Sequence, residues 1–242
     1  MWDKPDILNG VSNLLLTAAF LLAAFGAAHY VARLPVFPLR EVRVTDKLVR
    51  VTPDEIGTVV TRGLKGNFFT LDLAHARAAF EQLPWVRKVN LRRQWPDRLE
   101  VALEEHVALA RWGNVALVNT YGEVFTAPSD VALPLFAGPE GSAREIADQY
   151  DYFQRSLAAI RQVPVQVRLS PRRAWRIRLA SGLTLELGRE RVNSRLDRFV
   201  AIYDRSIGRL QRQLDYADLR YPNGFAVRIP EFKRAPHAEK NR

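Results

Sequence analysis

The chain has 242 residues, 48% hydrophobic and 26% charged, which excludes a disordered polymer and allows one or two domains with real cores. There is no cysteine, so disulfides, thiolate metal sites and cysteine nucleophiles are excluded. The net charge of +10 is carried by 30 arginines and six lysines; it suits a membrane surface, an acidic polymer or an acidic protein. Arginine-rich codon usage accounts for the surplus equally well. With no basic block and no aromatic-interleaved basic groove, no nucleic-acid partner is expected.

From Ile7 to Ala32 there is no Asp, Glu, Lys or Arg. At about 1.5 Å per residue, the 22 residues Val11–Ala32 reach about 33 Å, enough for a bilayer core of ~30 Å. Trp2 and Tyr30 sit where interfacial aromatics belong. A secretory signal is the rival reading, with Gly26-Ala27-Ala28 as its cleavage site. The single Lys4 ahead of a long apolar run favours an uncleaved anchor. Arg33, Arg40, Arg43 and Lys47 follow the run, and that count alone places the body of the chain in the cytoplasm.

Beyond a stiff spacer at Pro35 and Pro38, Leu39, Val42 and Val44 predict a strand. Thr52, Pro53, Asp54 and Glu55 read as cap, first position and acidic first turn of a helix with Ile56, Val59, Val60 and Leu64 on one face. Asp72 caps a second helix with Leu73, Ala76, Phe80 and Leu83 inward. Trp85, Val89 and Leu91 alternate with charged residues, and after a Pro96-Asp97 turn so do Leu99, Val101 and Leu103. The order is β-α-α-β-β, a small sheet with helices covering one face and water on the other.

From Ala108 the pattern changes. Residues 111–127 read as two strands turning near Tyr121-Gly122, and 128–142 as a Pro/Gly-rich connection. Ser142 caps a helix reaching Ile160. Residues 165–188 read as strands with a tight turn at Ser181-Gly182; Trp175, Ile177 and Leu179 share one face and Leu183, Leu185 and Leu187 another. A long helix follows, with Leu196, Phe199, Val200, Tyr203, Ile207 and Leu210 inward. One strand carrying apolar and basic residues ends the fold before a polar tail. The class is α+β: one N-terminal transmembrane helix, a small β-α-α-β-β unit over residues 36–107, and a larger mixed, β-rich unit with two helices over 108–235.

Nothing along the chain asks for catalysis. His29, His75, His106 and His237 have neither i, i+4 partners nor carboxylate clusters beside them. Gly-x-Ser-x-Gly, Ser-x-x-Lys and a phosphate-binding glycine loop are absent. Glu104 and Glu105 are adjacent in a strand, so they face opposite ways and share no site.

Five stretches in order and spacing carry a resemblance. They are LPWVRKVNLRRQWPDRLEVALEE (Leu83–Glu105), ALARW (Ala108–Trp112), LPLFAGPEGSA (Leu133–Ala143), RRAWRIRL (Arg172–Leu179) and DLRYPNG (Asp218–Gly224). Together they resemble the bacterial FtsQ/DivIB cell-division family; the Trp-Pro hairpin alone indicates only a POTRA domain. The resemblance implies a cytoplasmic tail at 1–9, a span at 10–32, a periplasmic POTRA domain at 36–107, a partner-binding domain at 108–235 and a mobile tail at 236–242. That orientation opposes the local arginine count.

It also implies a non-enzymatic inner-membrane protein of the division septum, without cofactor. Such a protein binds the FtsB–FtsL complex, an acidic coiled-coil partner, and helps control septal peptidoglycan synthesis. The implied partner site is the edge of the second domain, on a strand from Tyr221 to Ile229. Tyr221 and Phe225 are its aromatic anchors, Gly224 allows close backbone approach beside Asn223, and Arg220, Arg172 and Arg173 meet acidic residues. Tyr221 read alone fits a core tyrosine, and Arg172 and Arg173 a solvated turn. Leu91 and Arg93 map onto the family's POTRA recruitment surface for other divisome proteins, although Leu91 also fits the core face. The chain departs from the family in its short tail, in Ala108 where proline is common, and in Asn223 and Phe225 where smaller residues are common. The competing functions are another POTRA-containing transport or assembly component, which needs a long barrel domain, and an envelope enzyme acting on peptidoglycan.

Overall fold

The computed structural model describes residues 5–34, 37–206, 214–222 and 224–228, and the chain divides into two compact units, Met1–Glu105 and His106–Arg242. The first unit begins with α1 (Pro5–Arg33), whose Asn9–Arg33 portion is long and apolar enough to cross a membrane. Leu14, Phe20 and Phe25 are each at least 70% exposed. A helix apolar all round, with no cover from the other described residues, suits an apolar medium. Its C-terminal end is tied down: the Asn67 side-chain amide donates to the carbonyls of Ala32 and Leu34 at 2.8 and 2.9 Å, groups a helix end leaves without partners. Tyr30 is exposed near that end; Trp2 lies outside the described residues.

β1 (Glu41–Val44), α2 (Pro53–Gly63), α3 (Leu73–Glu81), β2 (Val86–Gln94) and β3 (Arg98–Glu105) follow in the expected order. α2 starts at a reciprocal capping box: Glu55 N–H donates to the Thr52 hydroxyl at 3.3 Å, and Thr52 N–H to the Glu55 carboxylate at 2.8 Å. Its apolar residues Ile56, Val59 and Val60 are only half-buried. At Gly63 a Cβ would come within 2.9 Å of Ala79 Cβ, so glycine lets α2 approach α3. α3 is capped by Asp72, which accepts from Ala74 and His75 N–H; those bonds hold its carboxyl below the ordinary value.

The sheet runs β1-β3-β2, with β3 parallel to β1 and antiparallel to β2. Leu99, Val101 and Leu103 on central β3 are at most 3% exposed, with Phe80, Val89 and Leu91 also buried. Glu104 and Glu105 hold different elements. Glu104 pairs with Arg87 at 2.7 Å. Glu105 accepts from three successive amides, Val49, Arg50 and Val51, at 2.7–3.0 Å, pinning the loop between β1 and α2.

The second unit contains β4 (Ala108–Trp112), β5 (Ala116–Asn119), β6 (Val124–Phe125), β7 (Leu135–Ala137), α4 (Ala143–Ala158), β8 (Pro164–Leu169), β9 (Trp175–Leu179), β10 (Thr184–Gly188), α5 (Val192–Ser206), β11 (Tyr216–Asp218) and β12 (Ala226–Arg228). The strands form one sheet in the order β12-β11-β10-β9-β8-β7-β4-β5-β6. α4 and α5 cover one face. They bury Ile146, Phe153, Leu157, Leu196 and Phe199 in one core with Phe136, Val167, Ile177, Leu185 and Leu187, all with no exposed surface. Phe153 meets Trp175 edge-on at 5.6 Å, and the Tyr152 hydroxyl joins the helices by donating to Asp197.

Four local expectations change. Residues 128–142 contain β7, a central strand; with three residues between Pro134 and Gly138 it is too short to show periodicity, although Phe136 is wholly buried. A further turn at Gly113–Val115 separates β4 from β5. Ser142 precedes α4 without capping it, because its hydroxyl donates to the Pro139 carbonyl instead. The final strand is a hairpin of β11 and β12. Ile207, Leu210 and the tail at 236–242 lie outside the described residues.

Phe136 decides between a loop and a core strand. Phe136→Ala is expected to cost about 3–5 kcal/mol, as for a buried phenylalanine. A connecting loop would lose roughly 0.5 kcal/mol or less. Urea unfolding of the detergent-solubilised chain, followed by tryptophan fluorescence, distinguishes the two.

Candidate functional site

The sheet register gathers most of the expected site residues. Trp175 of β9 stands opposite Gly188 of β10, and Glu186 of β10 opposite Asp218 of β11. The β8–β9 turn with Arg172 and Arg173, and the segment after β11 with Arg220 and Tyr221, therefore leave the sheet at the same end. Two strand spacings, roughly 10 Å, separate β9 from β11.

At this end Arg220 is fixed from below. Its guanidinium and backbone N–H donate to the Asp218 carboxylate at 2.6–3.1 Å. The Asp218 side chain is 9% exposed and that of Arg220 57%. The Arg220 bonds hold the Asp218 carboxyl below its usual range, and Asp218 in turn raises the Arg220 pKa. Gly188 makes the approach possible: it has φ +72°, and a Cβ there would meet Arg195 Nη1 at 2.9 Å and Arg220 Cγ at 3.1 Å.

Tyr221 is 54% exposed, so it is not a core tyrosine. Its carbonyl accepts from Arg198 Nη2 at 2.9 Å, and the Pro222 carbonyl accepts from Arg198 Nη1. One α5 arginine thus clamps the backbone of the turn. The single strand expected from Tyr221 to Ile229 is broken here. Pro222 has no N–H for a ladder, and the chain bends and turns at Tyr221 and Pro222. Pairing resumes only at Ala226.

Phe225 is half-buried, its ring edge-on to Phe199 at 5.6 Å, so much of this expected anchor is used within the chain. Gly224 has no atom within 4 Å of where a Cβ would stand. Asn223 and Ile229 lie outside the described residues. Beyond them, Ala226, Val227 and Arg228 of β12 are exposed and pair on one side only among the described residues. Such an edge offers backbone donors and acceptors to an incoming strand.

In the β8–β9 turn, Arg173 has φ +63° and pairs with Glu145 of α4 at 2.5 Å. Arg172 is exposed and has no ion pair among the described residues. In the first unit, Leu91 and Arg93 share the helix-covered side of edge strand β2. Leu91 is 6% exposed, so its side chain belongs to the core. Arg93 is exposed and donates to the Leu71 carbonyl at 2.5 Å. Sequence reasoning missed Asp218 and Arg198. The spacing of Asp218 and Arg220 offered a signal; Arg198, far along the chain from its turn, offered none.

Comparison with known proteins agrees with this architecture. Residues 37–106 match the family model "POTRA domain, FtsQ-type", and residues 110–220 match "Cell division protein FtsQ/DivIB, C-terminal". The cell division protein FtsQ of Nitrosospira multiformis is 46% identical over 94% of this chain and 99% of its own. That of Burkholderia pseudomallei is 41% identical over the whole of both. That of Neisseria gonorrhoeae is 34% identical over 94% of this chain and 95% of its own.

Two outcomes follow from the clamps. Arg198→Ala removes charged hydrogen bonds of the kind worth about 1.5–3 kcal/mol. Amide hydrogen exchange around Tyr221 should accelerate about tenfold or more, while α4 stays protected. Because the Asp218 pKa is lowered on folding, its contribution is complete above the ordinary value of 3.8 and is lost as pH falls through the lowered one. In urea titrations, the stability gap between the parent and Asp218→Asn should be full at neutral pH and shrink as pH drops below that range.

Proposed function

Because the chain belongs to the FtsQ/DivIB family of cell division proteins, we propose that it is a non-enzymatic scaffold of the division machinery that binds the FtsB–FtsL complex. In this reading residues 1–9 are cytoplasmic, 10–32 cross the bacterial inner membrane, and the units at 36–107 and 108–235 work in the periplasm at the septum. There the protein helps control septal peptidoglycan synthesis.

The observation that carries the reading is β12, paired on one side only among the described residues, beside the clamped turn. A partner strand added to β12 gains backbone hydrogen bonds. Tyr221, exposed on a backbone already held by Arg198, is the aromatic anchor. Arg220, Arg172 and Arg173 supply the basic rim for an acidic partner, with Gly224 and Asn223 in the approach and Phe225 as the internal support of the turn. The POTRA unit recruits other divisome proteins through the β2 edge, with Arg93 on its surface and Leu91 holding the strand from within.

Titration of the full-length chain in nanodiscs with the FtsB–FtsL complex tests the reading. Tyr221→Ala should weaken binding by roughly 2 kcal/mol or more. Equal affinity for parent and variant removes Tyr221 from the site, and no binding by the folded parent removes the reading. Arg220→Ala is expected to lower stability as well as affinity, because it strands the nearly buried Asp218 carboxylate.

A further inference from the structure

Opposite the α4/α5 core, the sheet has a second face that no other described element covers. Register places two rows of side chains on it. One runs Leu135, Gln166, Arg178, Thr184, Tyr216 and Arg228; the other runs Ala137, Arg168, Arg176, Glu186, Asp218 and Ala226.

Most charges on these rows pair within the chain, as Glu186 does with Arg176 and Arg228 with Asp215, but among the described residues two arginines do not. Arg168 stands directly opposite Arg176, and like charges in that position are destabilising. Glu186 takes Arg176 from the other side at 2.7 Å. Arg168 is left facing a like charge, and Arg178 lies between Gln166 and Thr184. Both arginines are exposed, and neither has an ion pair among the described residues.

Between them is a concavity of about 270 Å³ lined by Gln166, Arg168, Arg176, Arg178 and Thr184. Its lining holds no apolar or aromatic side chain to anchor a greasy ligand. Guanidinium forks with an amide and a hydroxyl suit a carboxylate.

The face is continuous with the proposed partner site. Asp218, which holds Arg220, belongs to the same row as Arg168. Three strand spacings, about 14 Å, separate β11 from β8; about ten residues of helix cover that distance.

We infer that the acidic partner crosses this open face and places carboxylates on Arg168 and Arg178, extending the contact inward from the edge at β12. This rests on the partner reading above and adds a surface to it. Arg168 and Arg178 then contribute to affinity and to its salt dependence, while Tyr221 and the β12 edge supply the anchor.

The test compares four forms of the full-length chain in nanodiscs of neutral lipid: the parent, Arg168→Glu/Arg178→Glu, Arg62→Glu/Arg77→Glu and Tyr221→Ala. Arg62 and Arg77 are exposed arginines of the first unit, so that pair changes net charge equally at a distance. Each form is titrated with the FtsB–FtsL complex at low and high salt, after circular dichroism has confirmed folding. The Arg168/Arg178 variant should bind at least tenfold more weakly at low salt, with a shallower salt dependence. The Arg62/Arg77 control should change by less than threefold.

Equal loss in both reversals makes the effect one of net charge and overturns the proposal. So does parental affinity in the Arg168/Arg178 variant; loss in Tyr221→Ala then leaves the partner site itself standing. A folded parent that does not bind overturns both readings. Vesicles carrying phosphatidylglycerol form a last arm: if the Arg168/Arg178 reversal weakens vesicle binding but not partner binding, the face belongs to lipid and the proposal falls.

Discussion

Leu185 and Leu187 point from β10 into the packing of α4 and α5, and Glu186 between them points away. That alternation, repeated from β8 to β11, is the constraint on which the second unit depends. A strand has only two faces. Once Val167, Ile177, Leu185 and Ala217 are committed to the core, Arg168, Arg176, Glu186 and Asp218 are committed to the other side. A slip of one residue would put arginines under Phe153 and Phe199, so burial enforces the register. The charged face is a consequence of the hydrophobic one.

The two ends of the sheet are finished differently. β6 has two residues, short enough to limit pairing with another chain. β12 is also short, with Arg228 drawn to Asp215 and over the Tyr216 ring. The turn leading to it is held by Arg198 and by the Phe225–Phe199 contact. Ordering that backbone beforehand lowers the conformational entropy this chain would lose on binding at that edge.

Much of the fold was legible because its signals are local. Thr52 and Glu55 write a helix start within four residues, and Leu99, Val101 and Leu103 write a half-buried strand within five. Where structure depends on distant partners, the sequence is silent. β7 exists because β4 and β8 flank it, and nothing in Leu135–Ala137 announces them. The β11–β12 hairpin reads as one strand in the sequence because Tyr221, Phe225 and Val227 continue an apolar pattern across a proline that breaks it. Among the site residues, motif resemblance points to Tyr221 and Arg220. Their supports are harder to read: Asp218 gives only its spacing from Arg220 until strand register fixes its face, and Arg198 gives no signal until α5 packs beside the turn. Leu91 shows the converse, since alternation places it in the core while resemblance alone makes it a surface.

The Asn67 amide on the Ala32 and Leu34 carbonyls, at and just past the end of α1, also has a mechanical meaning. Two hydrogen bonds from one planar group, to carbonyls two residues apart, fix an azimuth as well as a distance. Turning α1 about its own axis while the loop stayed still would break both bonds. The same side chain is itself locked, because its oxygen accepts from Phe69 and Thr70 N–H. Torque applied to the apolar helix, from whatever packs against it in its surrounding medium, is thereby delivered to the loop ahead of α3. The anchor is then a drive shaft as much as a tether.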